Sequence, residues 1–318
     1  MTKHLFNYCP IDWYEDKMQQ SGFTLDDYIG KLGLDGIEQF VYETKALSQP
    51  YIKQTVGAHL RYWPYWMDFW LKKSKRIKQY FPNNKVKFEY FAEAMSSDEW
   101  LSVIRRNICT AMQAKPEYLV WHVSEANNEE VFTFKFNYSD REVLSAASDV
   151  FNAVADEIPK NVIVLFENLW WPGLRLTDVR NVKYFFNRIE RKNVGIMLDT
   201  GHLMNTNTRL RSEDDAAEYI CNVVDRMGEQ AALIKGIHLS CSLSGQYQKS
   251  FTCIPSKDYD SSQIWKHVTA IDQHKPFSTK AVRRILACMK PEYIVHELAY
   301  DDLDDMYTKV AQQLQQVR

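Results

Sequence analysis

Nine side chains that bind metals or move protons recur along this chain: His59, His122, Glu167, Asp199, His202, His238, Asp272, His274 and Glu297. Six of them fall at the ends of short apolar runs: Thr55–His59, Tyr118–His122, Val162–Glu167, Val194–Asp199, Ile234–Leu239 (with His238) and Tyr293–Glu297. The other three follow in loops. His202 lies three residues beyond Asp199, across Gly201, and Asp272-Gln273-His274 comes late in a long connection. Imidazole and carboxylate ligands without thiolates suit Zn2+, Mn2+, Fe2+ or Co2+ better than Ca2+ or a structural zinc. One ion takes roughly four to six ligands, so nine groups predict one to three divalent ions, with Zn2+ first and Mn2+ next. Glu167 and Glu297 are the expected catalytic carboxylates, since both end strands and can exchange protons with a substrate.

Strand parity tests this placement. In a strand successive side chains alternate faces. Gly57, Val120, Leu165, Met197, Gly236 and Val295 therefore share a face with the six strand-end groups, and all are apolar or glycine. A filled barrel interior requires that. His296 has the opposite parity and is read as structural, facing a helix layer. Lys235 also faces outward, and His4 and His267 have no comparable setting. Any one of these groups alone would be an ordinary core histidine or helix-capping acid. Six in register at one end of a sheet would gather like charges and unpaired imidazoles without a cation.

The elements that must carry them alternate along the chain. Further strands are expected at Leu5–Tyr8 and Gly36–Val41. Helices are expected at Thr24–Leu32, Ser97–Met112, Arg141–Ile158, Leu176–Glu190, Ser212–Met227, Thr279–Met289 and Leu303–Val317. Eight strand–helix alternations predict an α/β fold, a single-domain (β/α)8 TIM barrel over residues 1–318. No Gly-x-Gly-x-x-Gly follows the first strand, which lowers the doubly wound alternative. Two connections, at about 60–96 and 240–276, are too long for turns and leave the carboxyl face, where binding walls form. The first opens Arg61-Tyr62-Trp63-Pro64-Tyr65-Trp66, and Trp170-Trp171 follows the fifth strand. Packing on the barrel and stacking on a substrate ring are equally weighted readings of these tryptophans. Arg61, Trp63, Trp66, Asn168, Trp170 and Arg175 are accordingly the expected substrate-binding residues, the two arginines for a phosphate or carboxylate.

Composition narrows the partners. A net charge of -2 supplies no global field for nucleic acid or anionic membrane. No apolar stretch is long enough to span a bilayer, and the amino terminus lacks a signal-peptide pattern. The six cysteines, Cys9, Cys109, Cys221, Cys241, Cys253 and Cys288, show no Cys-x-x-Cys, which suits a reducing, cytoplasmic setting. Oligomeric state is not readable at this level.

The order of motifs resembles the xylose isomerase-like TIM-barrel superfamily, which includes sugar isomerases and epimerases and endonuclease IV (AP endonuclease family 2). Gly33-Leu34-Asp35-Gly36-Ile37-Glu38, Glu167-Asn168 and Leu198-Asp199-Thr200-Gly201-His202 carry the resemblance. It implies that Glu167, Asp199, His238 and Glu297 hold one metal, as in the sugar epimerases. His59, His122, His202, Asp272 and His274 match the remaining ligands of endonuclease IV's three-zinc site. The loops depart from endonuclease IV: Glu167 leads into Asn168-Leu169-Trp170-Trp171-Pro172-Gly173, and the stretch from His238 to Asp272 is long. Those loops would read DNA, so duplex DNA is an unexpected partner and a small molecule the expected one. Ligand count places a metal-dependent phosphoesterase acting on a small substrate first. A sugar or sugar-phosphate isomerase/epimerase using one metal follows, and then a non-catalytic small-molecule-binding barrel.

Overall fold

A computed structural model describes residues 2–42, 47, 51–251 and 261–318. Eight strands close into a parallel barrel in sequence order: β1 (Lys3–Tyr8), β2 (Gly36–Val41), β3 (Thr55–Leu60), β4 (Tyr118–His122), β5 (Ile163–Glu167), β6 (Val194–Asp199), β7 (Ile234–His238) and β8 (Tyr293–His296). Most are short, largely apolar runs buried on both faces, as strands wrapped by helices must be.

The barrel interior is filled by Leu5, Val56, Tyr118, Val120, Leu165, Met197, Tyr293 and Val295. The inward parity read from the sequence holds. Glycine is required where large rings fill the space. A Cβ on Gly57 would stand 2.1 Å from the Tyr118 ring, and one on Gly236 would stand 2.7 Å from Met197.

The outer layer begins with α1 (Asp12–Ser21) and α2 (Leu25–Leu32). Thr24 caps α2 by a reciprocal pair with Asp27. Helix α1 escaped the sequence reading because it buries no side chain and so has no apolar stripe. After β3 come α3 (Met67–Trp70), α4 (Ser74–Tyr80), α5 (Asn84–Tyr90) and α6 (Ser97–Ala111). After β4 come α7 (Glu130–Thr133) and α8 (Asp140–Asn152), and after β5 comes α9 (Val179–Arg188). The expected start of α9 at Leu176 fails because Leu176 has φ +62, a left-handed backbone; Asp178 caps the helix instead. Beyond β6 lie α10 (Thr200–Asn205) and α11 (Glu213–Met227). Beyond β7 lie α12 (Gly245–Ser250), α13 (Ser261–Ile271) and α14 (Val282–Met289), and α15 (Leu303–Val317) closes the chain.

The aromatic run after β3 packs on the rim. Trp63, Tyr65, Trp66 and Phe69 join the main core with Phe91 and Trp100. His296 is fully buried against the helix layer, with its Nδ1 2.8 Å from Gln313 Nε2 and its Nε2 3.2 Å from His4 Nδ1. Lys235 pairs with Glu292 at 3.2 Å, and His267 stacks on Phe132. Cys109, Cys221, Cys241 and Cys288 are free thiols, and Cys253 lies outside the described residues, as does part of the long connection after β7. Among the described residues no helix is long and apolar enough to cross a membrane.

Candidate metal centre

Strand register sets the centre. His122 pairs with Glu167 across β4–β5, and Asp199 with His238 across β6–β7. The strand-end groups therefore stand at one level on the carboxyl face, where barrel enzymes place their chemistry. Asp199 also caps α10: its Oδ1 accepts the backbone N–H of His202 at 2.5 Å. That cap turns the imidazole of His202 back over the strand ends.

The structure brings all nine sequence-derived groups together. They form three sets, two of which share Glu167: His59, His122 and Glu167; His202, Asp272 and His274; and Glu167, Asp199, His238 and Glu297. Ligand atoms within each set lie within 4.8 Å of one another. Glu167 links the sets. Its Oε2 is 3.2 Å from His59 Nε2 and 2.7 Å from His122 Nε2, while its Oε1 is 3.3 Å from His202 Nδ1 and 3.2 Å from His238 Nδ1.

The histidine tautomers show what belongs between these atoms. His59 Nδ1 reaches the Leu60 carbonyl at 3.0 Å, His202 Nδ1 the Asn168 carbonyl at 2.8 Å, and His274 Nδ1 the Glu297 carbonyl at 3.0 Å. In each case the ring N–H must donate to that oxygen, leaving the Nε2 lone pair for the centre. His238 is turned the other way: its Nε2 donates to Glu38 at 3.0 Å, leaving Nδ1 inward, 2.7 Å from Glu297 Oε2. His202 Nε2 and His274 Nε2 face Asp272 Oδ2 at 3.0 and 2.7 Å. Lone pairs thus face carboxylate oxygens at close range, which requires a proton or a cation between them. Among the described residues Asp199 Oδ2 is buried without a hydrogen-bond partner, and Glu297 Oε2 meets only His238 Nδ1, at 2.7 Å. A set of imidazoles held by carbonyl and carboxylate acceptors, with lone pairs turned toward buried carboxylate oxygens, fits divalent metal.

Electrostatics agree. Burial alone would lower the histidines' pKa, yet Glu167 raises His59, Asp199 and Asp272 raise His202, and Glu297 and Glu38 raise His238. His274 is raised to about 10, burial being outweighed by Asp272. Burial pushes Asp199 up to about 7 against the pull of His202, whereas His238 outweighs burial and brings Glu297 down to about 2. His122 is lowered, burial winning over Glu167, and its Nδ1 has no acceptor. Without metal, protons hold these pairs together.

Glu38 is the residue the sequence reading passed over. It is fully buried and accepts hydrogen bonds from His238 Nε2 and from the Tyr118 hydroxyl at 2.8 Å. Its signal is a carboxylate at inward parity in the middle of β2, away from the strand end.

The expected substrate contacts are placed differently from the ligands. Trp63 donates its indole N–H to the Tyr90 carbonyl, and Trp66 donates to the Ser124 carbonyl, both within the rim core. Arg175 pairs with Asp140 at 2.8 Å. Asn168 exchanges two hydrogen bonds with the Asp199 backbone and locks β5 to β6. Of these four only Asn168 meets the ligand sets, through the Asp199 backbone and the His202 ring. Trp170 meets them too: its ring lies 5.2 Å from that of His202, while Tyr62 lies 4.4 Å from His122. Tyr62 packs on the cluster of Trp170 and Trp171, because burying three rings together removes more apolar surface from water. Arg61 is half-buried over Trp63, beside a cavity of about 40 Å³ that Tyr62, Trp66, Trp100, Trp121 and His122 also line.

The fold recurs in solved structures. A D-tagatose 3-epimerase-like protein matches with TM-score 0.52 and 15% identity, over 99% of this chain and 97% of that one. Mannonate dehydratase from Streptococcus suis serotype2 matches with TM-score 0.54 and 10% identity, over 99% and 92%. D-psicose 3-epimerase in the presence of D-fructose matches with TM-score 0.50 and 14% identity, over 99% and 97%. At these identities the likeness is one of fold. No curated protein matches the chain in sequence. Residues 105–315, however, match the family described as xylose isomerase-like TIM barrel, and with the barrel and its motifs in place the chain belongs to that family.

Proposed function

We propose that the chain is a divalent-metal-dependent isomerase or epimerase acting on a small sugar or sugar phosphate. The observation that carries this reading is the buried set Glu167, Asp199, His238 and Glu297, in which three carboxylates converge on one imidazole and Asp199 Oδ2 has no hydrogen-bond partner among the described residues. A metal held there, Zn2+ or Mn2+, would supply Lewis-acid polarisation of a carbonyl and its neighbouring hydroxyl. In this reading Glu167 and Glu297 exchange a proton with the intervening carbon: one takes it as carboxylate, the other returns it as carboxylic acid. His238, fixed by Glu38, and Asp199, fixed through Asn168, hold the set in place. The sugar names of the similar structures support this order and reverse the one given by ligand count.

A phosphoester hydrolase with two or three ions is the second reading. Glu167 favours it, because its two oxygens serve different ligand sets and could bridge ions.

The test is elemental analysis of protein purified without chelator, run beside two assays. One ion per chain with exchange of a sugar's C–H proton for solvent deuterium supports the first reading. Three ions with release of phosphate from small phosphoesters, and no exchange, would replace it by the second. Duplex containing an abasic site is expected to be cut poorly, and efficient incision at low enzyme concentration would restore a DNA substrate.

A further inference from the structure

Away from the centre, Cys221 on α11 and Cys288 on α14 bring their sulfurs to 3.0 Å. Both are partly buried and both are thiols. The two helices pack side by side in the outer layer. Cys288 Sγ also lies 3.1 Å from the Ile285 carbonyl, and Cys221 Sγ 3.5 Å from that of Arg284. A disulfide needs about 2.05 Å between sulfurs, so an approach of about 1 Å, within the reach of side-chain rotation, separates the pair from a covalent bond.

We infer that Cys221 and Cys288 form a thiol–disulfide modification site that reacts with low-molecular-weight disulfides and staples α11 to α14. Burial and the Cys221 neighbour push the Cys288 thiol up to about 12, and Cys221 Sγ, which makes the pair's exposed contact with the Arg284 carbonyl, is the attacking group. Its thiolate displaces one thiolate from the disulfide reagent and forms a mixed disulfide. Cys288 then loses its proton, attacks the Cys221 sulfur and releases the second thiol. Two protein thiols and one disulfide become one protein disulfide and two small thiols, with two electrons passing to the reagent. The closed loop spans 67 positions and contains His238, Asp272 and His274, so the staple restrains the segment that supplies three of the ligands.

The experiment uses the full chain, reduced, desalted and treated with glutathione disulfide. The expected product has lost two free thiols and about 2 Da, yields a peptide joining Cys221 to Cys288, and melts on the order of 5 °C higher. Dithiothreitol should reverse all three changes. Cys221→Ser and Cys288→Ser should remove the joined peptide and the shift in Tm, while Cys109→Ser should leave both intact. Retention of all thiols, a stable glutathione adduct in the wild type, or an oxidised form melting with the reduced one would overturn the inference. None of these readouts depends on the metal or on the reaction proposed above.

Discussion

Asp199 does two jobs with two oxygens. Oδ1 caps α10, and Oδ2 is buried without a partner. Asparagine can still accept the cap bond through its amide oxygen, but it cannot supply the buried negative charge. Asp199→Asn should therefore lower kcat/KM by roughly 100-fold or more while the fold persists. Unfolding of the variant in chelator, under conditions where wild type stays folded, would show the carboxylate to be structural. Glu38 acts one step further out. It fixes the tautomer of His238 and so determines that Nδ1 faces Glu167 and Glu297. Glu38→Gln keeps an acceptor but loses the charge, and metal affinity should fall about 10-fold, read by competition with a chromophoric chelator. An unchanged affinity would reduce Glu38 to barrel packing.

Among the elements, β3 and β4 are coupled through the close approach of a ring to a glycine. Gly57 leaves the space that the Tyr118 ring occupies, and the Tyr118 hydroxyl in turn donates to Glu38. Gly57→Ala would place a Cβ 2.1 Å from that ring. The ring must move, at a cost of about 1–3 kcal/mol in stability, and Glu38 loses its second hydrogen bond. Denaturant unfolding should show a lower midpoint at unchanged slope. Metal affinity should fall with it, and a variant destabilised but binding metal as wild type would separate the packing from the centre.

For the whole molecule, the centre makes stability depend on pH in opposite senses with and without metal. His274 titrates at about 10 in the metal-free protein. Its ion pair with Asp272 contributes fully below the unfolded histidine value, about 6.5, and is lost as pH rises toward about 10. Buried His296 is held down at about 3 by burial and by His4. Staying neutral costs stability as pH falls below about 6.5 toward 3. Chelated protein should therefore melt highest near pH 6.5. Metal replaces the protons on His59, His202, His238 and His274, so its affinity should rise with pH. Thermal unfolding from pH 6 to 9, with and without chelator, should show a gap in Tm that widens with pH. A constant gap would remove the histidines from the ligand set.

Much of this was legible in the sequence because its physics is local. A strand ending in His or Asp carries that group to the carboxyl face whatever its neighbours, and period-two alternation fixes which residues point inward. That is why the barrel, its strands and the nine convergent groups could be read from spacing, with β2, β4 and β6 matching residue for residue. Glu38 could not be read so. Its role depends on meeting His238, 200 positions away, across the closed barrel. The tryptophans were ambiguous for the same reason. Their large apolar rings are favoured by burial anywhere, and only the packing of β3 and β5 loops against each other decided that Trp63 and Trp66 serve the rim core while Trp170 stands beside His202. The partners of Arg175 and the division of Glu167's oxygens between ligand sets are likewise distances between elements remote in sequence. Such distances arise only when the barrel closes.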